Sequence, residues 1–76
     1  MKIAREVAAT GGTACAIMNA ANEEAVWAFL RGDTGFNGIH RLVEHALNKV
    51  EVKYQPSLED ILEADRAARE HVKAVL

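Results

Sequence analysis

The side chains best placed to do chemistry crowd into one stretch, Gly11-Gly12-Thr13-Ala14-Cys15-Ala16-Ile17-Met18-Asn19-Ala20-Ala21-Asn22-Glu23. Asn19, Asn22 and Glu23 stand at i, i+3 and i+4, a spacing that puts them on one stripe of a helix. Two amides a turn apart can hold a ligand, or they can hold exposed main-chain groups of a neighbouring loop or helix end. Asparagine is a poor residue for a helix interior because its side chain competes for backbone hydrogen bonds, so a pair of them is expected to be holding something. Amides with partners are ordinary in cores, which favours the structural role. Asp65 is the fourth polar candidate, because it interrupts an apolar stripe where an acid is costly unless hydrogen-bonded. It stands either at a rim, where Arg69 one turn on can pair with it, or against a helix start, for which the Gly11-Gly12-Thr13 turn is the natural donor. A catalytic Asp65 would need a second acid, a base or a nucleophile converging on it, and the pattern supplies none.

Three other arrangements invite chemistry and do not sustain it. Cys15 in a first helical turn could have a lowered thiol pKa, but a small buried apolar residue is the simpler reading. His40 and Glu44 are i, i+4 with His45 adjacent, yet His45 points about 100° away from Glu44 on a helix and no further ligand cluster follows. A solvated charged face accounts for them. Arg31-Gly32-Asp33 resembles an adhesion tripeptide, but it falls at a helix end and no secretion signal accompanies it.

These residues need elements to position them. Seventy-six residues with half of them apolar make one small domain, able to build a modest helical core and too small for a cofactor fold with a substrate pocket. Nine basic and eleven acidic residues give a net charge of −2 with no basic run, against nucleic acid and anionic membrane as partners. A single cysteine excludes an internal disulfide. No signal peptide or membrane-length apolar run is visible, and the reading is a cytoplasmic protein.

The expected fold is all-α: a small bundle of three to four helices around a buried central helix at about 13–31. That helix is apolar around most of its circumference, follows a glycine break with Thr13 as N-cap, and is closed by a left-handed Gly32. A short helix at about 2–9 precedes it, and Met1 just before reads as a start placed on a fragment. A third helix at about 38–50 has Phe36 as an apolar anchor before an Asn37 N-cap, with Ile39, Leu42, Val43, Ala46, Leu47 and Val50 inward. The link Glu51–Gln55 is extended ahead of Pro56. A fourth helix at about 57–74 starts with Ser57 as N-cap and Asp60 as its capping-box partner, with Leu58, Ile61, Leu62, Ala68, Val72 and Val75 as its inner stripe.

The ordered set Gly11-Gly12-Thr13, Asn19-Ala20-Ala21-Asn22-Glu23-x-Ala25-Val26, Phe29-Leu30, Gly35-Phe36-x-x-Ile39, Pro56-Ser57-Leu58-Glu59 and Asp65-x-x-Ala68-Arg69 resembles the C-terminal helical domain of 1-deoxy-D-xylulose 5-phosphate reductoisomerase. Cys15 stands where that family often has proline. The resemblance implies a parent oxidoreductase of the non-mevalonate isoprenoid route that converts its substrate to 2-C-methyl-D-erythritol 4-phosphate with NADPH and Mg²⁺ or Mn²⁺. It further implies a homodimer in which this bundle packs on the catalytic domain of the same chain. The NADPH-binding and catalytic domains would lie outside this sequence. No catalytic, cofactor-binding or metal residue carries over, and this chain alone would be inactive and cofactor-free. Asn19, Asn22, Glu23 and Asp65 then serve as structural polar residues that fix loops in the bundle and brace it against that domain. The alternatives are a free-standing helical protein-interaction module and, less well matched to the acidic balance, a helix-turn-helix DNA binder. A domain without its neighbours should also expose an apolar patch, with Trp27 or the first helix as candidates.

Overall fold

A computed structural model describes residues 11–76 of the chain. The helix expected at about 2–9 lies outside the described residues. Three helices follow, with no strand among the described residues: α1 (Ala14–Arg31), α2 (Phe36–Lys49) and α3 (Leu58–Ala74). The fold is the all-α bundle anticipated, with α1 packed against both of its neighbours. Thr13 meets Lys53 at the starts of α1 and α3, and Glu24 further along reaches Arg69 and Lys73. These two helices therefore run the same way, and α2 returns against them.

The burial of α1 is one-sided. Ala14, Ile17, Ala20, Ala21, Ala25 and Ala28 form its buried face. Cys15, Asn19, Asn22, Glu23, Val26, Trp27 and Leu30 are exposed. Small side chains let three helices approach closely, so the inward face was selected by size while larger apolar residues stayed outside. The same rule corrects the inner stripe of α3. Ala64, Ala68 and Val72 are buried there, whereas Leu58 is 71% and Leu62 61% exposed, with Ile61 and Val75 also exposed. Asp65 thus interrupts no core stripe, because the stripe runs one position beside it. On α2, Leu42, Val43 and Ala46 are buried, with Ile39, Leu47 and Val50 packed at the edge of the core. His45 of α2 and His71 of α3 meet edge to face, ring centres 6.1 Å apart.

The helix ends show which local signals won. Gly32 adopts the left-handed conformation (φ 84°) and its N–H closes α1 on the carbonyls of Ala28 and Phe29. Thr13 holds the N-cap position of α1 without capping it through its hydroxyl. Its Oγ1 instead accepts the Lys53 N–H at 2.9 Å, while its own N–H donates to the Lys53 carbonyl at 3.0 Å. Gly12, at φ 60°, lies so close to this carbonyl that a Cβ there would overlap it. α2 begins at Phe36 with Gly35 as N-cap, two residues ahead of the expected Asn37 cap. Phe36 joins the helix and lays its ring against Phe29, centroids 5.9 Å apart, which joins the ends of α1 and α2.

α3 starts with a complete capping box. Ser57 Oγ accepts the Asp60 N–H at 3.1 Å, and Asp60 Oδ2 accepts the Ser57 N–H at 3.0 Å. Lys53 Nζ adds a contact to Asp60 Oδ1 at 3.4 Å. The Ser57 N–H, then Lys53 and the Ser57 hydroxyl, hold the Asp60 carboxyl below its ordinary value. A carboxyl depressed in the folded state stabilises at pH above its unfolded value and loses that contribution as pH falls through its folded value. Asp60→Asn should therefore flatten the decline in stability below about pH 4, measured by urea unfolding at stepped pH. An unchanged acid limb would assign the decline to other carboxylates.

Candidate functional site

Of the four polar candidates, the structure gathers Glu23 and Asp65 and leaves Asn19 and Asn22 apart. The gathering centre is Arg69. Its Nε donates to Asp65 Oδ1 at 2.7 Å, and its Nη1 donates to Glu23 and Glu24 at 3.3 Å each. Lys73 Nζ lies 3.8 Å from Glu24, the least exposed of these acids with 13% of its side chain open. Asp65 sits at the rim beside Arg69, not at the Gly11-Gly12-Thr13 turn, where the Thr13 N–H goes to the Lys53 carbonyl. Asp65 first, then Glu23 and Glu24, hold the Arg69 guanidinium even further above its usual range. The cluster braces α1 on α3 at a half-exposed edge, where such pairs contribute roughly 0.2–1 kcal/mol each.

The three carboxylates converge on a guanidinium, and among the described residues no group of three His, Cys, Asp or Glu is arranged for a metal ion. At the start of α1, where a phosphate could be held by main-chain donors, the Thr13 N–H goes to Lys53 and the Ala14 N–H to Gly11. Glu24 and the Thr13–Lys53 clasp were missed by sequence reasoning. The first joins residues some 45 positions apart and has no local signal, whereas Gly12 preceding a hydroxyl residue was the available signal for the second.

Asn19 and Asn22 open onto a groove between α1 and α2 of about 410 Å³. Met18, Ile39 and Val43 form its floor, and Val26 and Phe36 its walls. Both amides are exposed. Next to the groove, Trp27 is 54%, Leu30 66% and Phe36 73% exposed. An apolar surface of this extent with Trp27 at its edge has the character of an interaction face. No helix among the described residues is long and apolar enough to cross a membrane.

The family model described as "DXP reductoisomerase C-terminal domain" matches residues 1–71. The chain belongs to that family. It is 46% identical over its whole length to the 1-deoxy-D-xylulose 5-phosphate reductoisomerase of Bacillus pumilus (strain SAFR-032), covering 20% of that protein. It is 49% identical over 72 residues to the enzyme of the same name from Bacillus cereus (strain AH187), covering 95% of this chain and 19% of the relative. The Methylobacillus flagellatus enzyme of that name is 44% identical over 71 residues, 93% of this chain and 18% of its own length. This DXP reductoisomerase C-terminal domain thus spans about a fifth of the length of the curated relatives it matches.

Proposed function

We propose that the chain is the non-catalytic support domain of a 1-deoxy-D-xylulose 5-phosphate reductoisomerase, with the chemistry carried out by polypeptide outside it. On this reading the whole protein is a cytoplasmic homodimer of the non-mevalonate isoprenoid route. It rearranges and reduces its substrate to 2-C-methyl-D-erythritol 4-phosphate, and NADPH supplies the hydride with a Mg²⁺ or Mn²⁺ ion. The observation that carries this reading is the commitment of the gathered acids, Glu23, Glu24 and Asp65, to Arg69, in a chain that matches a fifth of each relative. They are spent on holding α1 against α3, and no base or nucleophile joins them. The residues of this chain then bind and orient by shape, through the bundle and its apolar groove.

The test is spectrophotometric. The 76-residue chain, given 1-deoxy-D-xylulose 5-phosphate, NADPH and Mg²⁺, should leave NADPH absorbance unchanged and should not bind NADPH in titration calorimetry. Substrate-dependent NADPH oxidation by the purified chain would overturn the reading. The groove also suits a free-standing helical interaction module. The reading frame upstream of residue 1 separates the two: roughly 300 further residues with a glycine-rich dinucleotide turn belong to the enzyme, and a stop codon to the module.

A further inference from the structure

We propose that His45 of α2 and His71 of α3 form a two-imidazole site for a borderline divalent transition metal such as Zn²⁺, and that the bound ion ties these two helices together. The inference does not depend on the support-domain reading.

The other groups able to ligate a metal are engaged or isolated. Glu23, Glu24 and Asp65 close on Arg69, and Glu63 and Glu70 on Arg66. Asp60 is held by the Ser57 N–H and Lys53. His40 faces Glu44 at 3.5 Å on an exposed surface, and Cys15 has no second and third ligand around it among the described residues. His45 and His71 differ. Both are half-buried, and their ring centres lie 6.1 Å apart. Neither enters a side-chain hydrogen bond or ion pair among the described residues.

A neutral imidazole offers one nitrogen lone pair, the ligand that suits zinc, nickel and copper, whereas Mg²⁺ and Mn²⁺ take oxygens. Two imidazoles on one tetrahedral ion, each with a metal–nitrogen length of about 2.1 Å, hold their ring centres about 5 Å apart. The observed pair stands within about 1 Å of that separation, at 69° between ring planes rather than stacked. Turning one ring about χ2, a broad torsion in histidine, brings a nitrogen of each to the space between them. The hollow beside His71, about 220 Å³, has room for water at the remaining positions. Its lining sets Glu51, Asp60 and Glu63 against Lys49 and Lys53, one negative charge in excess, which favours a cation.

Among the described residues no third side chain of ligand type joins the pair, so the site is open and exchangeable, unlike a closed structural centre. Helical spacing offers His45 no partner on α2, and the fold supplies one from α3. An unfolded chain does not hold the two rings together, so the ion favours the folded bundle.

The test uses the 76-residue chain with Cys15→Ser, which removes the exposed thiol as a competing ligand. Zn²⁺ is titrated while the imidazole resonances are followed by NMR. His45 and His71 should shift together with one half-saturation point, and His40 should not move. Mg²⁺ at the same concentrations should shift none of the three. His45→Gln and His71→Gln should each weaken Zn²⁺ binding by at least about ten-fold, since losing a ligand costs no less than losing a residue that supports one. His40→Gln should leave the affinity unchanged. Saturating Zn²⁺ should raise the melting temperature of the parent by at least about 3 °C and leave both pair variants where they were. The titration of the parent decides the matter even where a variant fails to fold. No shift, a shift at one member of the pair alone, or equal shifts at all three histidines would overturn the proposal. Full affinity in either pair variant would overturn it as well.

Discussion

Gly12→Val is expected to destabilise the domain by about 2–4 kcal/mol, lowering the melting temperature by roughly 15 °C in a chain of this length. Two effects add. A β-branched residue is strained at φ 60°, and its Cβ would overlap the Lys53 carbonyl oxygen that receives the Thr13 N–H. The backbone must retreat, which breaks the paired Thr13–Lys53 hydrogen bonds and loosens Lys53 from Asp60. Gly11→Val carries the first effect alone, because Gly11 has a similar φ of 73° and nothing within 4 Å of its Cβ position, so the difference between the two variants isolates the second. Thermal unfolding followed by far-UV circular dichroism should show the larger loss at Gly12. Equal losses at both positions would mean that the clasp contributes nothing and that only backbone strain was measured.

Ile17→Ala should cost about 3–4 kcal/mol, in the upper part of the range for deleting a buried aliphatic side chain. Among the described residues Ile17 is the largest fully buried side chain, ahead of Val72. The buried residues on its own helix are alanines, and Ala64 and Ala68 line the facing helix. Alanine has no torsion through which to swing into a hole, so the cavity stays open and the lost contacts are not recovered. Urea unfolding should show a lower midpoint with an unchanged slope. Val26→Ala, one side of α1 away on the groove wall, should move the midpoint little. A small effect at Ile17 would show that the helices close over the gap, against an alanine-set spacing.

How much was legible follows from the kind of signal each residue carries. The helices of the bundle declare themselves through 3.6-residue periodicity, and the Ser57–Asp60 box and Gly32 through chemistry confined to one turn. Such local signals survive without tertiary information. The buried face of α1 and the inner stripe of α3 did not read correctly, because hydrophobicity ranks Leu58 and Leu62 above Ala64, whereas the bundle chooses by how closely helices can approach. Asparagines inside an apolar helix were read as buried and are exposed, since the rule that amides need partners does not say on which side of the surface the partner lies. The Asp65–Arg69 pair was visible as an i, i+4 spacing. Its extension to Glu23 and Glu24 joins residues some 45 positions apart, and no local pattern encodes that.

The groove and the Arg69 cluster adjoin along one stripe of α1, which Asn19, Asn22 and Glu23 share, and divide its work. Glu23 and Glu24 hold it to α3, while Asn19, Asn22 and Val26 line the groove. A helix so arranged transmits position and shape, and the account places every bond-making step elsewhere. The direct measurement is NADPH oxidation in the presence of 1-deoxy-D-xylulose 5-phosphate and Mg²⁺, run in parallel on the 76-residue chain and on a chimera of the Bacillus pumilus enzyme in which it replaces the matching fifth. The account predicts no turnover by the chain and substrate-dependent turnover by the chimera; turnover by the chain alone would contradict it.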